Sequence, residues 1–130
     1  MTNGYYQNSK IKYKKLQEPD IYIDNTTGLV WQNQIYKDKK RNKKLNWKEA
    51  QSYCESLQIK DLIDWSLPSL SKLESSYKIK RYFKDDPGLF FWTSSNVLND
   101  NNRAYSIDFN GGIVWKTRKD KICYVRCVHH

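Results

Sequence analysis

The chain has 130 residues, of which 38% are apolar and 15% aromatic, and its formal net charge is +9. This length fits one domain, and the aromatic content is enough to build a core, so two ordinary domains and a disordered chain are both excluded. No stretch approaches the roughly 18 apolar residues of a membrane-spanning helix, which excludes a helical span.

The chain divides into three parts by composition. Residues 1–19 form a polar, tyrosine-rich amino-terminal segment, residues 20–128 a single domain, and residues 129–130 a His-His end that resembles a tag remnant. The first four residues lead directly into polar sequence, without the apolar run of a signal peptide. We therefore expect that the leader of an exported protein is absent from this sequence, and we assign no function to either end.

Two short β-type runs begin the domain. They span residues 21–23 and 29–31, and the segment between them is Asp-Asn-Thr-Thr-Gly. Because Asn25 and Gly28 tolerate positive φ, this segment predicts a hairpin. Residues 36–44 follow as a basic loop.

The next segment has the start signal and the spacing of a helix. Asn46 is predicted to cap it, and Glu49 three residues later completes a capping box. The helix is predicted to run to about Ile59. Its apolar spacing places four residues on one buried face: Trp47, Ala50, Cys54 and Leu57.

The carboxyl-terminal half is predicted to hold a second helix and several strands. Ser69 is expected to cap the helix, whose buried face carries Leu70, Leu73 and Tyr77. Residues 96–103 are expected to form a polar loop, and Asn110-Gly111 a hairpin turn. The predicted strands span residues 90–94, 104–109, 113–115 and 122–128.

The last predicted strand alternates in polarity. Its period of two places Cys123, Val125 and Cys127 on one face, which we take as the inward one, and Tyr124 and Arg126 on the other face. A hairpin, two helices and a strand-rich end together make an α+β order. This order differs from the strict alternation of a doubly wound parallel sheet.

Six short motifs carry a resemblance to a known family. They are Asp24 with Thr27-Gly28-Leu29-Val30-Trp31, Trp47 with Glu49-Ala50 and Tyr53-Cys54, Asp64-Trp65-Ser66-Leu67-Pro68-Ser69, Phe91-Trp92-Thr93-Ser94-Ser95, Ala104-Tyr105 with Phe109 and Gly111, and Tyr124-Val125-Arg126-Cys127-Val128. Over roughly residues 20–128, this series resembles the bacterial Lcl C-terminal-like domain family, typified by the C-terminal domain of a collagen-like adhesin.

The resemblance implies a fold, a location and a role. The fold would be C-type-lectin-like, with two helices packed on short, mostly antiparallel strands and with the N- and C-terminal strands brought together. The location would be extracytoplasmic (periplasmic, secreted or on the cell surface). The role would be adhesion or ligand recognition, and the adhesin that typifies the family is associated with sulfated polysaccharides.

The resemblance also implies a disulfide between Cys54 and Cys127. Two buried free thiols are the alternative, since unpaired cysteines are common in cores. Cys123 is the third cysteine and has two alternatives of its own. It is either inert on the inward face beside Val125, which we favour, or paired with a partner chain.

The sequence offers little for catalysis. The only histidines are His129 and His130 at the end of the chain, so a nucleophile activated by histidine is not expected. The carboxylate pairs at 85–86 and at 61 and 64 have the context of turn formers. We expect no enzymatic activity, no cofactor and no metal site.

Clustered cations point to a polyanionic ligand, because such a surface attracts negative charge over about 10 Å. We predict an anionic, sulfated glycan, with Trp115 stacking on a sugar ring while the cations bind its charges. A solvated basic surface without a ligand is the alternative interpretation. The predicted binding residues in these clusters are Lys39, Lys40, Arg41, Lys43, Lys44, Trp115, Lys116, Arg118, Lys119 and Lys121.

The expected loop at residues 96–103 adds Asn99, Asn101 and Arg103 to the predicted binding residues. The alternative function, a protein–protein interaction or assembly module with a surface protein as partner, would use this same loop. A calcium site here would have one carboxylate among amides, which makes it weak. No nucleic-acid-binding motif is present, so nucleic acid is not an expected partner.

Overall fold

The computed structural model describes residues 20–38 and 41–129, without the side chains of residues 38, 41 and 42. The segment 1–19, Lys39, Lys40 and His130 lie outside the described residues. In chain order the elements are β1 (Ile21–Ile23), β2 (Val30–Gln32), β3 (Lys37–Asp38), β4 (Arg41–Asn42), α1 (Trp47–Ser56), β5 (Trp65–Ser66), α2 (Leu70–Tyr77), a 3-10 turn (Lys80–Tyr82), β6 (Phe90–Val97), β7 (Asp100–Asp108), β8 (Ile113–Arg118) and β9 (Val128–His129).

An antiparallel sheet of four short strands joins the two ends of the described chain. Its order is β1-β2-β9-β5, so the last strand lies beside the first hairpin, as expected. The predicted hairpin turn is present, and Asp24 closes it by accepting hydrogen bonds from the Thr26 N–H and the Thr27 hydroxyl. His129, at the end we assigned no function, pairs with Val30 and Trp65 in this sheet.

Helix α1 begins as the sequence predicts and ends one turn early. Asn46 and Glu49 form both hydrogen bonds of the capping box. The helix stops at Ser56 because Leu57 is extended, and Ile59 then bridges to Leu62 instead of continuing the helix. Helix α2 has the predicted Ser69 cap.

A disulfide ties α1 to the segment before β9. Cys54 and Cys127 are bonded, with their Cα atoms 5.5 Å apart, which confirms the expected pairing. Cys123 is a free thiol, and it is buried on the inward face, as we favoured. Desolvation raises the pKa of its thiol to about 12, so it stays protonated at neutral pH.

The antiparallel sheet β6-β7-β8 separates two apolar clusters. Strand residues alternate between its faces, so the odd and even positions enter different cores. The disulfide core lies on one face and includes Ala50, Cys54, Trp92, Ala104, Val125 and Cys127. The phenylalanine core lies on the other face and includes Trp31, Leu73, Phe83, Phe91, Phe109 and Val128.

The prediction of a polar loop at residues 96–103 is wrong. Strands β6 and β7 continue through this region and turn at Leu98 and Asn99, with Asn99 at φ 62°. The backbone pairing between β6 and β7, with Asn96 opposite Ala104 and Val97 opposite Asp100, overrides the low strand propensity of Asn and Asp here. The basic loop expected at 36–44 likewise contains the two-residue strands β3 and β4.

The prediction of a continuous strand over residues 122–128 is also wrong. Only Val128–His129 is strand, while Cys123 bridges to Leu45 and Tyr124 bridges to Phe91. The period of two nevertheless holds, because Cys123, Val125 and Cys127 face the disulfide core and Tyr124 packs against the phenylalanine core. Arg126 lies on this second side too, where a core covers it and leaves it 1% exposed. Its guanidinium lies 4.0 Å from the Phe83 ring centroid.

Candidate ligand-binding surface

Two basic segments that are far apart in the sequence are neighbours in the structure. Leu45 and Cys123 exchange two backbone hydrogen bonds of 2.9 Å, and the Trp47 N–H donates to the Lys119 carbonyl oxygen. Four lysines lie on the two paired segments, and we call them the basic seam: Lys43, Lys44, Lys119 and Lys121. The fold therefore concentrates charges that the sequence separates by more than 70 positions.

Aromatic rings position two of the seam lysines. The Lys119 ammonium lies 4.0 Å from the Trp47 ring centroid, and the Lys44 ammonium lies 5.4 Å from that of Tyr124. Each contact orients a cation without neutralising it, since a ring quadrupole carries no net charge. The charges of both lysines thus remain available to an anionic ligand.

A second group of cations lies on the phenylalanine-core face of β7 and β8. The register places Arg103 opposite Arg118 and Tyr105 opposite Lys116. Like charges that face each other across strands are destabilising. Aspartates compensate here, because Asp100 lies 3.2 Å from Arg103 and Asp120 lies 2.9 Å from Arg118. These two arginines are therefore less available to a ligand than Lys44 and Lys119, which contact aromatic rings.

The Arg118–Asp120 pair shows its electrostatic effect in both partners. The hydrogen bond from Arg118 lowers the pKa of the Asp120 carboxyl, and the same bond raises the pKa of Arg118. Both side chains are exposed, so this pair organises the surface more than it stabilises the fold.

Trp115 lies on the opposite face of β8 from Lys116 and Arg118. Its ring is 50% exposed and makes an edge contact with Phe90, with ring centroids 5.7 Å apart. Strand alternation separates its ring from those two cations. The stacking site that the sequence predicts would therefore need a ligand that reaches around the strand edge.

The remaining predicted residues are dispersed. Asn99 is in the β6–β7 turn and Asn101 is exposed on β7. Arg41 is in β4, where only its backbone is described. Among the described residues, no group of three His, Cys, Asp or Glu side chains is placed to hold a metal ion.

Sequence reasoning missed an aromatic cleft beside α1. The rings of Tyr36 and Tyr53 are in contact, with centroids 4.6 Å apart, and they form one wall of a cavity of about 420 Å³. Leu45 also lines this cleft, and Lys48 and Ser52 are exposed at its rim. Tyr53 carries a weak sequence signal, since it lies one turn after Ala50 on the helix, but Tyr36 carries none.

A hydrogen-bond chain fixes the cleft wall. The side-chain amide N–H of Gln32 donates to the Tyr53 hydroxyl at 2.6 Å. The side-chain carbonyl oxygen of Gln32 accepts from the backbone N–H of Cys127 at 3.0 Å. Burial raises the pKa of Tyr53, so the phenol stays neutral at physiological pH. The wall is thus anchored beside the disulfide.

The sequence profile of the family described as Lcl C-terminal domain matches residues 20–129. The chain belongs to the Lcl C-terminal domain family. This family is adhesin-like and is not a known enzyme family. Among the curated proteins, none matches this sequence.

A solved structure supports the α+β architecture of this Lcl C-terminal domain. One chain of a complex titled as a von Willebrand factor A1 domain mutant with botrocetin aligns with a TM-score of 0.55 at 12% identity. The alignment covers 86% of this chain and 97% of that chain. At this identity the likeness concerns the fold, and the expected α+β class is confirmed.

Two properties of the Lcl C-terminal domain indicate an extracytoplasmic location. Its family is adhesin-like, and its disulfide is of the kind that persists in oxidising compartments. Within the described ranges, neither helix has the length and apolarity needed to cross a membrane.

Proposed function

We propose that this domain is a non-catalytic adhesion module, displayed outside the cytoplasm, that binds an anionic, sulfated polysaccharide through the basic seam. The observation that carries the proposal is the antiparallel pairing of the Leu45 and Cys123 backbones, which joins the segment that carries Lys43 and Lys44 to the segment that carries Lys119 and Lys121. A linear polyanion needs cations in a row, and this pairing makes one row from two segments.

The charge balance of the molecule supports the same ligand. The formal net charge is +9, so the field of the whole chain attracts polyanions before contact. Exposed sulfates bind best to cations that lack a carboxylate partner. Among the described residues, Lys44 and Lys119 meet this condition, because aromatic rings and no carboxylate position them.

A charge-reversal experiment tests the proposal. The change is the double variant Lys44→Glu with Lys121→Glu, and the measurement is the affinity for heparin in a salt series. We expect binding to weaken about tenfold at physiological salt, because two ionic contacts are reversed. We also expect wild-type affinity to fall steeply as salt rises.

The matched control changes the same charge elsewhere. Lys78 and Lys84 are exposed at and after the end of α2, which packs on the phenylalanine core. Lys78→Glu with Lys84→Glu should weaken heparin binding less than threefold, about 0.6 kcal/mol. An equal loss in both variants would mean that only net charge matters, and this would reject the seam as a site.

A protein partner is the second candidate function. Ile113 and Trp115 are 56% and 50% exposed, and they lie beside half-buried Phe90 on one face of the sheet. Exposed aromatic and aliphatic side chains on an edge strand suit a protein interface. This candidate gains support if heparin binding is insensitive to the seam variants and to salt.

A further inference from the structure

The aromatic cleft and the basic seam share a wall. Leu45 lines the cleft with its side chain, while its backbone pairs with Cys123 inside the seam. Lys48 lies in the first turn of α1 and is exposed at the cleft rim. The preceding residue, Trp47, contacts the ammonium group of the seam residue Lys119. A ligand lying along the seam therefore passes the mouth of the cleft.

We propose that this cleft holds one sugar ring of the polysaccharide, with Tyr36 and Tyr53 as the surface on which the ring stacks. This inference rests on the proposed function and adds to it a subsite that recognises carbohydrate rather than charge. The cavity volume of about 420 Å³ lies in the range of small-molecule sites, and its wall is mostly apolar.

The chemistry of a sugar ring matches the two kinds of surface in the cleft. A pyranose has an apolar C–H face that packs on an aromatic ring, and a hydroxyl edge that needs hydrogen-bond partners. The tyrosine rings meet the first need. Ser52 and Glu49 line the cleft on α1 and meet the second, since a hydroxyl and a carboxylate both accept hydrogen bonds.

Glu49 also orients the ligand. One of its carboxylate oxygens accepts from the Asn46 N–H at 3.0 Å in the capping box, which fixes a negative charge at the rim. A sulfate on the edge of the ring beside Glu49 would be repelled. The cleft therefore selects for the ring orientation as well as for its presence.

The wall is rigid before the ligand arrives. Gln32 holds the Tyr53 hydroxyl and is itself held by the Cys127 N–H. Tyr53 in turn contacts the Tyr36 ring. A preorganised surface loses little conformational entropy on binding, so the stacking energy appears as affinity.

Two probes separate ring recognition from charge recognition. A heparin-derived hexasaccharide carries sugar rings and sulfates, whereas linear polyphosphate of matched charge carries no rings. Tyr36→Ala should weaken hexasaccharide binding about tenfold and change polyphosphate binding less than twofold. Tyr36→Phe, which keeps the ring, should bind both probes like the wild type.

A second variant guards against a folding defect in Tyr36→Ala. Ser52 is exposed on α1, so Ser52→Trp fills the cleft without removing any core contact. It should reproduce the loss for the hexasaccharide alone. Circular dichroism and thermal unfolding of each variant establish that the fold is retained.

The possible outcomes distinguish the two proposals. The sugar-ring inference is overturned if hexasaccharide binding is unchanged in both cleft variants, or if both probes weaken equally. Either result would leave the cleft open to another occupant, such as a protein segment. If neither probe responds to Lys44→Glu with Lys121→Glu, the proposed function itself fails. Loss of the hexasaccharide alone in the cleft variants supports the inference.

Discussion

Arg126 and Cys127 are consecutive residues of the segment that leads into β9, which we call the closing segment. Their side chains point to opposite sides and attach this segment to different parts of the fold. Cys127 is bonded to Cys54 of α1 and belongs to the disulfide core. Arg126 points the other way, where its guanidinium donates to the backbone carbonyls of Gln32, Asn33 and Asp85. Both side chains are at most 1% exposed.

The two ties differ in how they depend on their surroundings. The disulfide is covalent and stabilises the fold mainly by limiting the unfolded chain. The Arg126 tie depends on the folded state, because a buried guanidinium is tolerated only while hydrogen bonds to its two terminal nitrogens and a nearby carboxylate compensate for its desolvation. Burial lowers the pKa of Arg126 to about 10, and Asp85 counteracts that effect, so the group remains a cation at neutral pH. Two consecutive residues thus combine a bond that constrains the unfolded chain with contacts that stabilise the folded state.

Removing the disulfide should have the largest effect. The bond closes a loop with a sequence separation of 73. Cys54→Ala with Cys127→Ala should lower the free energy of unfolding by about 4 kcal/mol in the chain-entropy model. Urea unfolding followed by tryptophan fluorescence measures this change. A loss under about 1 kcal/mol would show that the ionic tie alone holds the closing segment.

Weakening the ionic tie should have the next largest effect. Asp85→Asn removes the charge that faces Arg126 at 3.2 Å. Because the Asp85 side chain is 15% exposed, we expect a loss of about 2 kcal/mol, less than for a fully buried pair.

Asp86 is the matched control for Asp85. It is the next residue, and its contact to Lys80 is long at 3.9 Å and partly exposed. Asp86→Asn should cost about 0.5 kcal/mol. Equal losses at 85 and 86 in urea unfolding would contradict the assignment of Asp85 as the partner of the buried cation.

Cys123 should give the smallest effect, and one that depends on pH. Its folded-state pKa of about 12 is above that of an unfolded thiol, so the folded state holds the proton longer. Stability is therefore lost as pH rises through the unfolded pKa. Between pH 8 and 10 the wild type should lose about 1.5 kcal/mol more than Cys123→Ala.

Parallel pH slopes for the wild type and Cys123→Ala would contradict this burial of the thiol. Alkylation supplies a second readout in the native state at pH 8. Cys123 should react slowly, because its thiolate is scarce and its side chain is 3% exposed. Fast modification would show that this residue is not part of the disulfide core.

Sequence reasoning worked best where the signal is local. The capping box of Asn46 and Glu49 lies within four residues, and so does the hairpin turn closed by Asp24. The Cys54–Cys127 pairing was implied by a family resemblance rather than derived from spacing, and the structure confirms it. Tertiary contacts instead decided residues 96–103, whose polar composition indicates a loop although the chain pairs as strands.

The candidate site was only partly predictable. The lysines of the basic seam were identified from their clustering, but nothing in the sequence indicates that Lys44 and Lys121 lie on paired segments. Trp115 was predicted to stack on a sugar ring whose charges bind neighbouring cations such as Lys116, whereas strand alternation puts these two side chains on opposite faces. Tyr36 was missed because only its contact with Tyr53 gives it a role in the cleft.

By itself the sequence determined the composition of the core, the helix starts, the turns and the strong positive charge. These properties depend on residue type and on neighbours within one or two turns, which the chain order specifies directly. Only the tertiary structure decided that Arg126 points inward, that two basic segments pair, and that Tyr36 and Tyr53 line a cleft. Each of these depends on side chains that are distant in sequence, and packing, not local propensity, determines which of them meet.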